Sequence, residues 1–401
     1  MHVFHTLDRM FLLWKRGQTR NKEDLSVLSS NGYSPNAHSG AIIDTDIHPL
    51  FDHDLVPEYL PQPWKRRFAE GNQGPGGFGF WNPHGLRRPD TLAPDGVRIY
   101  ASAAHLGQYF MDEYGIEYGI LNNDSIGLAL NPEPDYGAAV VSAMNDLLIE
   151  HWLAVEPRLR LSLLVSPVDQ DLAVKEIHRL GDHPGVAQIL MPGGAQKPYG
   201  QRYYHPIYAA AVEHNLPVAL HPSPPGAGIT GPTTAAGIPT SYFEWHTGLS
   251  SLYVTHVISL ISEGVFQKFP TLKFVLLEGG VSWLPPLLWR LDKNWKALRQ
   301  TVPWLDRLPS EIAADHLLVS TQPIEEPYQQ KHLHQVLEMF PADRMLMFST
   351  DYPHWDGDTP DFAGRLLPEN LRARVLRETA SELYGFPLST PSEGPGAVAH
   401  A

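Results

Sequence analysis

Acids and histidines close several of the apolar runs in this 401-residue chain. Asp46 and His48 end "AIIDTDIHP", His221 ends "LPVALH", Glu278 ends "LKFVLLE" and Asp351 ends "RMLMFSTD". Positions i and i+2 of an extended run share a side, so Asp46 and His48 can face one point. Carboxylate oxygens and neutral imidazole nitrogens are ligands that Zn²⁺, Mn²⁺ or Fe²⁺ accept. Four of them with an open position make a catalytic rather than a closed structural site. Taken singly, each has a plainer reading: Asp-x-His recurs in turns, and His221 alone reads as a satisfied core histidine. Their joint placement favours one divalent cation, with zinc ranked first and Mn²⁺ or Fe²⁺ behind it.

The elements that must position these groups are apolar, β-branched runs at 41–46, 116–122, 159–167, 185–192, 216–223, 272–280, 316–322 and 344–351. Their apolar character is continuous rather than alternating, as in strands of a parallel sheet buried on both faces. Between them, 138–156, 171–181, 253–269, 328–340 and 370–385 carry helical periodicity. Eight such strands with right-handed crossovers predict an α/β fold, a (β/α)₈ TIM barrel whose chemistry gathers at the C-terminal strand ends. A doubly wound sheet is the competing fold. It normally shows a glycine-rich phosphate loop after its first strand, and "DTDIHPL" is not one.

The barrel is expected over 41–386. Residues 50–110, rich in Pro, Gly and aromatics, read as an elaboration after strand 1 that carries short helices and forms a lid or wall over one mouth. Residues 1–40 read as a poorly ordered N-terminal extension without signal-peptide order, and 387–401 as a flexible tail. The formal charge of −14 argues against nonspecific contact with nucleic acid or anionic membrane. The absence of cysteine excludes disulfides, thiolate metal sites and a Cys nucleophile, and is compatible with the cytoplasm. No apolar run is long enough to span a bilayer. The partner expected is a small molecule, and a homodimer is a compatible assembly.

"DTDIHP", "ALHPS", "FPTLKFVLLEGGVSWLPPLLWRLDKNW" and "FSTDYPHWDGDTP" together resemble the metal-dependent hydrolases of the amidohydrolase superfamily. The branch they are most similar to also contains the aminocarboxymuconate-semialdehyde and resorcylate decarboxylases. The resemblance covers about residues 41–386 and implies that Asp46, His48, His221 and Asp351 hold the metal. It gives Asp351 a second role as base. Glu278 is placed beside the metal as a proton shuttle, with a fifth ligand and a structural acid as its alternatives. His354, three residues past Asp351, lines the pocket or steadies the ligands, or is a surface-loop histidine. Two departures stand out. The usual His-x-His opening is Asp46-x-His48 here, and Glu278 occupies a strand-6 end where many relatives have a histidine.

Both reactions known in such a family remain open, as does a metal-binding barrel without catalysis. Hydrolysis uses a metal-activated water on a carbonyl-type substrate that is aromatic or hydrophobic. Nonoxidative decarboxylation of an aromatic or unsaturated acid is the alternative. The missing strand-6 histidine tilts the expectation towards hydrolysis. Phe78, Phe80, Trp81, Trp283, Trp289 and Trp295 suit an aromatic substrate or the core equally. His246, with Glu244 and Trp245, is a candidate pocket wall in a loop after strand 5, while His256 reads as core. Gly193 and Gly194 would let backbone approach a ligand. Arg202 reads as exposed, Gln322 as facing the mouth, and Glu325 and Glu326 as capping the helix after strand 7.

Overall fold

The computed structural model describes residues 41–70, 87–223, 234 and 236–389. Among these, eight strands form one parallel sheet in chain order: β1 (Ile42–Ile47), β2 (Ile116–Leu121), β3 (Leu159–Leu164), β4 (Val186–Pro192), β5 (Val218–His221), β6 (Phe274–Leu276), β7 (Leu317–Ser320) and β8 (Leu346–Met347). Every residue of β1, β5, β6, β7 and β8 is buried, including the polar Asp44, Thr45, Asp46, His221 and Ser320, so these strands are covered on both faces. The outer helices include α1 (Pro134–Leu148), α2 (Gln170–Leu180), α3 (His205–Glu213), α4 (Tyr242–Thr247), α5 (Ser250–Ser262), α6 (Leu284–Leu298), α7 (Pro309–His316) and α8 (Gln330–Leu337). The chain is the expected (β/α)₈ barrel. No helix among the described residues is long and apolar enough to cross a membrane.

Two apolar layers hold it. Ile43, Ile120, Leu164, Leu190, Ala219, Val275, Leu318 and Met347, one from each strand, belong to one cluster. Their strand neighbours Ile42, Leu121, Leu163, Ile189, Leu220, Phe274, Val319 and Leu346 belong to the other, with residues of the helices. Strict alternation would put Ile47 with Ile43, yet Ile47 joins the helix-side layer. The β1–β2 register is irregular between Asp44 and Ile47, and that shift turns Asp46 towards the axis.

The seam between β8 and β1 is closed by side chains as much as by backbone. Thr45 N–H donates to Phe348 O at 3.1 Å, and His48 N–H to Tyr352 O at 2.8 Å. The Asp44 carboxylate accepts from Thr350 N–H at 2.9 Å and from its hydroxyl at 2.6 Å. Asp44 is wholly buried, and burial pushes its carboxyl up to about 7 despite these bonds.

The elaboration after strand 1 carries short helices, as expected, including Val56–Tyr59, Trp64–Ala69 and Ala103–Leu106. Its stretch from Arg87 onwards lies along the loop that leaves β8. Arg87 bridges His354 in antiparallel fashion, and Arg88 N–H donates to Pro353 O at 3.2 Å. Phe78, Phe80 and Trp81, the extension 1–40 and the tail from 390 lie outside the described residues.

Candidate metal centre

Asp46, His48, His221 and Asp351 converge at the C-terminal mouth of the barrel. Each offers one ligand atom, and the four atoms lie within 4.8 Å of one another. His48 Nε2 is 3.2 Å from Asp46 Oδ1 and 2.9 Å from Asp351 Oδ1. His221 Nε2 is 3.7 Å from Asp46 Oδ2. Asp46 and Asp351 are fully buried, at 0% exposure.

The bonds around the cluster fix which atoms face inward. His48 Nδ1–H donates to Asn122 O at 3.0 Å, and His221 Nδ1–H to Pro222 O at 2.8 Å. With Nδ1 committed, Nε2 is the atom that each imidazole turns to the centre, the orientation a metal ligand needs. Asn122 Nδ2–H holds Asp46 Oδ1 at 2.8 Å. His354 Nδ1 holds Asp351 Oδ1 at 2.7 Å, and its Nε2 lies 3.6 Å from Asp124 Oδ1. What remains is His48 Nε2, His221 Nε2, Asp46 Oδ2 and Asp351 Oδ2, all buried and without a well-aligned hydrogen bond. A buried, unpaired acceptor costs about 1–3 kcal/mol, and here four point at one spot. Burial alone would lower the His48 pKa, yet the Asp46 carboxylate beside it pushes it up to about 10. The cluster thus draws positive charge, and a divalent cation fits it in charge, donor type and geometry.

Two of the site acids lie past their strands rather than at the last ladder position. β6 ends at Leu276 and β8 at Met347, while Glu278 and Asp351 both have φ of 54°. Left-handed backbone at a non-glycine residue stops ladder pairing, costs on the order of 1 kcal/mol, and re-aims the side chain. Gly279 follows because a Cβ there would lie 2.6 Å from the Tyr253 ring.

Glu278 joins the cluster to a second group. Its Oε2 lies 3.1 Å from His221 Nε2, and its Oε1 lies 3.7 Å from His246 Nε2. His246 is 3.3 Å from Asp356 Oδ2, which also accepts from Gln322 Nε2 at 3.2 Å. Burial would raise Glu278, but the His221 and His246 imidazoles hold it well below the usual carboxylate range. Burial would lower His246, and Asp356 and Glu278 instead push it up to about 10.

The sequence reading underrated His246 and passed over Asp356, Asp124 and Asn122. His246 sits on α4, a helix rather than the expected loop. Asp356 lies five residues beyond Asp351, and Asp124 and Asn122 follow β2, so an acid and an amide just past strand ends were the available signals. Gln322 does face the mouth, and Arg202 is exposed. His256 is core: Nδ1 accepts from Tyr199 N–H at 3.2 Å, and Nε2–H donates to Gly193 O at 2.8 Å.

Other expectations are corrected. Glu325 does not cap the helix after strand 7; its carboxylate accepts from Val281 and Ser282 N–H, ahead of α6, while Glu326 is exposed. Gly193 packs against β5, donating to His221 O at 2.6 Å, and gives no ligand approach. Of the tryptophans, Trp283 donates to Gly279 O and Gly280 O, Trp289 is 52% exposed on α6, and Trp295 packs on the helix-side core. Glu244 accepts from Thr240 N–H instead of lining a pocket, and Trp245 is buried.

A barrel with ligand-type acids and histidines at its C-terminal mouth is the architecture of a metal-dependent enzyme. Residues 43–386 match the amidohydrolase family, and the chain belongs to it. It is 26% identical over 262 residues to a gamma-resorcylate decarboxylase from Polaromonas sp. strain JS666, covering 61% of this chain and 74% of that one. Among solved structures it is similar to an amidohydrolase from Mycobacterium avium subsp. paratuberculosis, with TM-score 0.68, 21% identity, and 87% and 100% of the two chains covered. It is also similar to a 5-carboxyvanillate decarboxylase from Novosphingobium aromaticivorans complexed with manganese and 4-hydroxy-3-methoxy-5-nitrobenzoic acid. There the TM-score is 0.63 at 17% identity, with 88% and 100% covered.

These relatives overturn the expectation of hydrolysis, since those with a stated reaction are decarboxylases. The physical reason for the error is visible. Hydrolysis was favoured because strand 6 lacks a histidine, and the fold brings His246 to Glu278 from α4 instead.

Proposed function

We propose that the chain is a metal-dependent, nonoxidative decarboxylase of an aromatic carboxylic acid. The observation that carries the reading is Glu278, a single carboxylate lying between His221 of the ligand cluster and His246 at the mouth. Asp46, His48, His221 and Asp351 would hold one divalent cation. Manganese, the ion in the carboxyvanillate decarboxylase, now ranks ahead of the zinc expected first. Bound there, the cation would supply positive charge to hold an anionic substrate at the cluster.

The rest falls to the protein. His246 and Glu278, 3.7 Å apart with Asp356 behind the imidazole, share one proton that rests on His246, and this pair is the proposed source of the proton for the ring carbon that bears the carboxylate. A C–H bond forms there from a ring electron pair. The C–C bond then breaks, its pair returns to the ring, and CO₂ leaves. His354, between Asp351 and Asp124, steadies Asp351. The elaboration from Arg87 onwards, laid along the β8 loop, would serve as the wall of the mouth. The cytoplasm is the compartment proposed, in keeping with a cysteine-free composition.

The test is to load the protein with Mn²⁺ and assay hydroxybenzoates for CO₂. Release that falls steeply in Glu278→Gln at unchanged metal content supports the reading. A Glu278→Gln protein with near-normal kcat across pH rules out the proton-handling role.

A further inference from the structure

Beside His246 lies a cavity of about 390 Å³ lined by Thr240, Ser241, Tyr242, Phe243, His246, Thr247 and Trp355. That volume falls within the range of small-molecule sites. Two large aromatics stand open on it: Phe243 is 82% exposed and Trp355 45% exposed. His246 forms the inner wall, with its ring stacked at 5.3 Å on Tyr242 and 5.5 Å from the Trp355 ring. The same imidazole lies 3.7 Å from Glu278, so a single side chain is shared by the cavity and the groups assigned to proton delivery.

The polar atoms of the lining are already engaged. Thr247 Oγ1 donates to Phe243 O at 2.6 Å, and Thr240 Oγ1 to Glu244 Oε2 at 3.2 Å. Ser241 Oγ accepts from Glu244 N–H at 3.2 Å, capping α4. His246 Nε2 is turned towards Glu278 and Asp356. Among the described residues, no Lys, Arg, Asp or Glu lines the cavity. What it offers a ligand is aromatic surface, since its one cationic side chain, His246, is already paired with Glu278 and Asp356.

We propose that this cavity receives an uncharged, aromatic extension of the substrate, so that the acid decarboxylated is a hydroxyaryl carboxylate larger than a single substituted ring. The inference rests on the decarboxylase reading for the position of the carboxylate, and His246, common to the cavity and to the Glu278 pair, ties the extension to that site. Exposed aromatics with no polar counterpart make poor solvent-facing surface and good partners for a flat apolar ring.

The experiment measures direct binding to the Mn²⁺-loaded protein, which needs no turnover. The probes are 2-hydroxybenzoate, its 3-, 4- and 5-phenyl derivatives, and the same biaryls with a second carboxylate on the outer ring. At least one phenyl derivative is expected to bind about 10–100-fold more tightly than 2-hydroxybenzoate, the worth of burying a ring. The carboxylated outer ring should lose that gain. Phe243→Ala and Trp355→Ala, both at exposed positions, should each remove about 3–10-fold of the gain, with circular dichroism confirming the fold.

Phenyl derivatives that bind no better than 2-hydroxybenzoate, or a gain untouched by both variants, overturn the inference. The decarboxylase reading is scored separately by CO₂ release. Tight biaryl binding with no CO₂ from any probe would sink that reading and leave the pocket assignment standing.

Discussion

The two halves of the site are built from different material. The ligand cluster hangs from the ends of β1, β5 and β8, with its inward atoms selected by backbone carbonyls and by Asn122. The half proposed to handle the proton comes from the turn after β6, from α4 and from the loop after β8, and its contacts are looser, at 3.1 to 3.7 Å. A barrel fixes what must be rigid and leaves the choice of reaction to the segments beyond its strands. That division explains why the convergence of Asp46, His48, His221 and Asp351 was legible in the sequence while the reaction was not.

Substitutions on the two sides should therefore fail differently. The largest effect is expected at the ligands. Asp46→Asn or His48→Ala should cut metal affinity by more than ~100-fold and reduce activity to background, with Asp46→Asn partly rescued by added Mn²⁺. Metal analysis beside activity checks this, and full activity in strong chelator would contradict it.

Glu278→Gln should keep its metal and lose ~10²–10⁴-fold in kcat. If it loses metal as readily as Asp46→Asn, Glu278 belongs among the ligands and the contrast collapses. His246→Gln and Asp356→Asn, one step further out, should each cost ~10–100-fold in kcat with metal content unchanged.

The smallest effect lies away from both halves, at His256. Burial lowers its pKa to about 4, so the folded protein holds it neutral. The unfolded chain takes up a proton below about 6.5 and the folded chain does not, so stability is intact above that pH and is lost as pH falls towards 4. Between about pH 7.5 and about pH 5, His256 should account for ~2 kcal/mol of lost stability. His256→Gln should be less stable at neutral pH but decline less on acidification. Equal declines in the melting temperatures of both proteins would remove His256 from the explanation.

The fold and the cluster of acids and histidines were legible because both depend on local pattern. Buried parallel strands force continuous apolar runs, and a polar residue closing such a run, like His221, has few reasons to be there. The exact strand ends were less legible, because the left-handed turns at Glu278 and Asp351 leave no compositional mark. His246 was hidden for a different reason. It lies in a short helix whose periodicity gives no direction, and only the packed fold brings it to Glu278, 32 positions away in the chain. Phe78, Phe80, Trp81, Trp283, Trp289 and Trp295 were read as suiting either a substrate or the core, while the aromatics that line the cavity beside His246 are Tyr242, Phe243 and Trp355.

The most direct test of the account follows the proton. The Mn²⁺-loaded protein is incubated in D₂O with 2,6-dihydroxybenzoate, 5-carboxyvanillate and the phenyl-substituted 2-hydroxybenzoates, and gas and aromatic product are analysed together. The account predicts CO₂ and arene in equal amounts, with one deuterium at the vacated ring carbon, and a rate that collapses in Glu278→Gln. Loaded protein that releases no CO₂ from any of these acids, yet cleaves an ester or amide with oxygen from water entering the product, would contradict it.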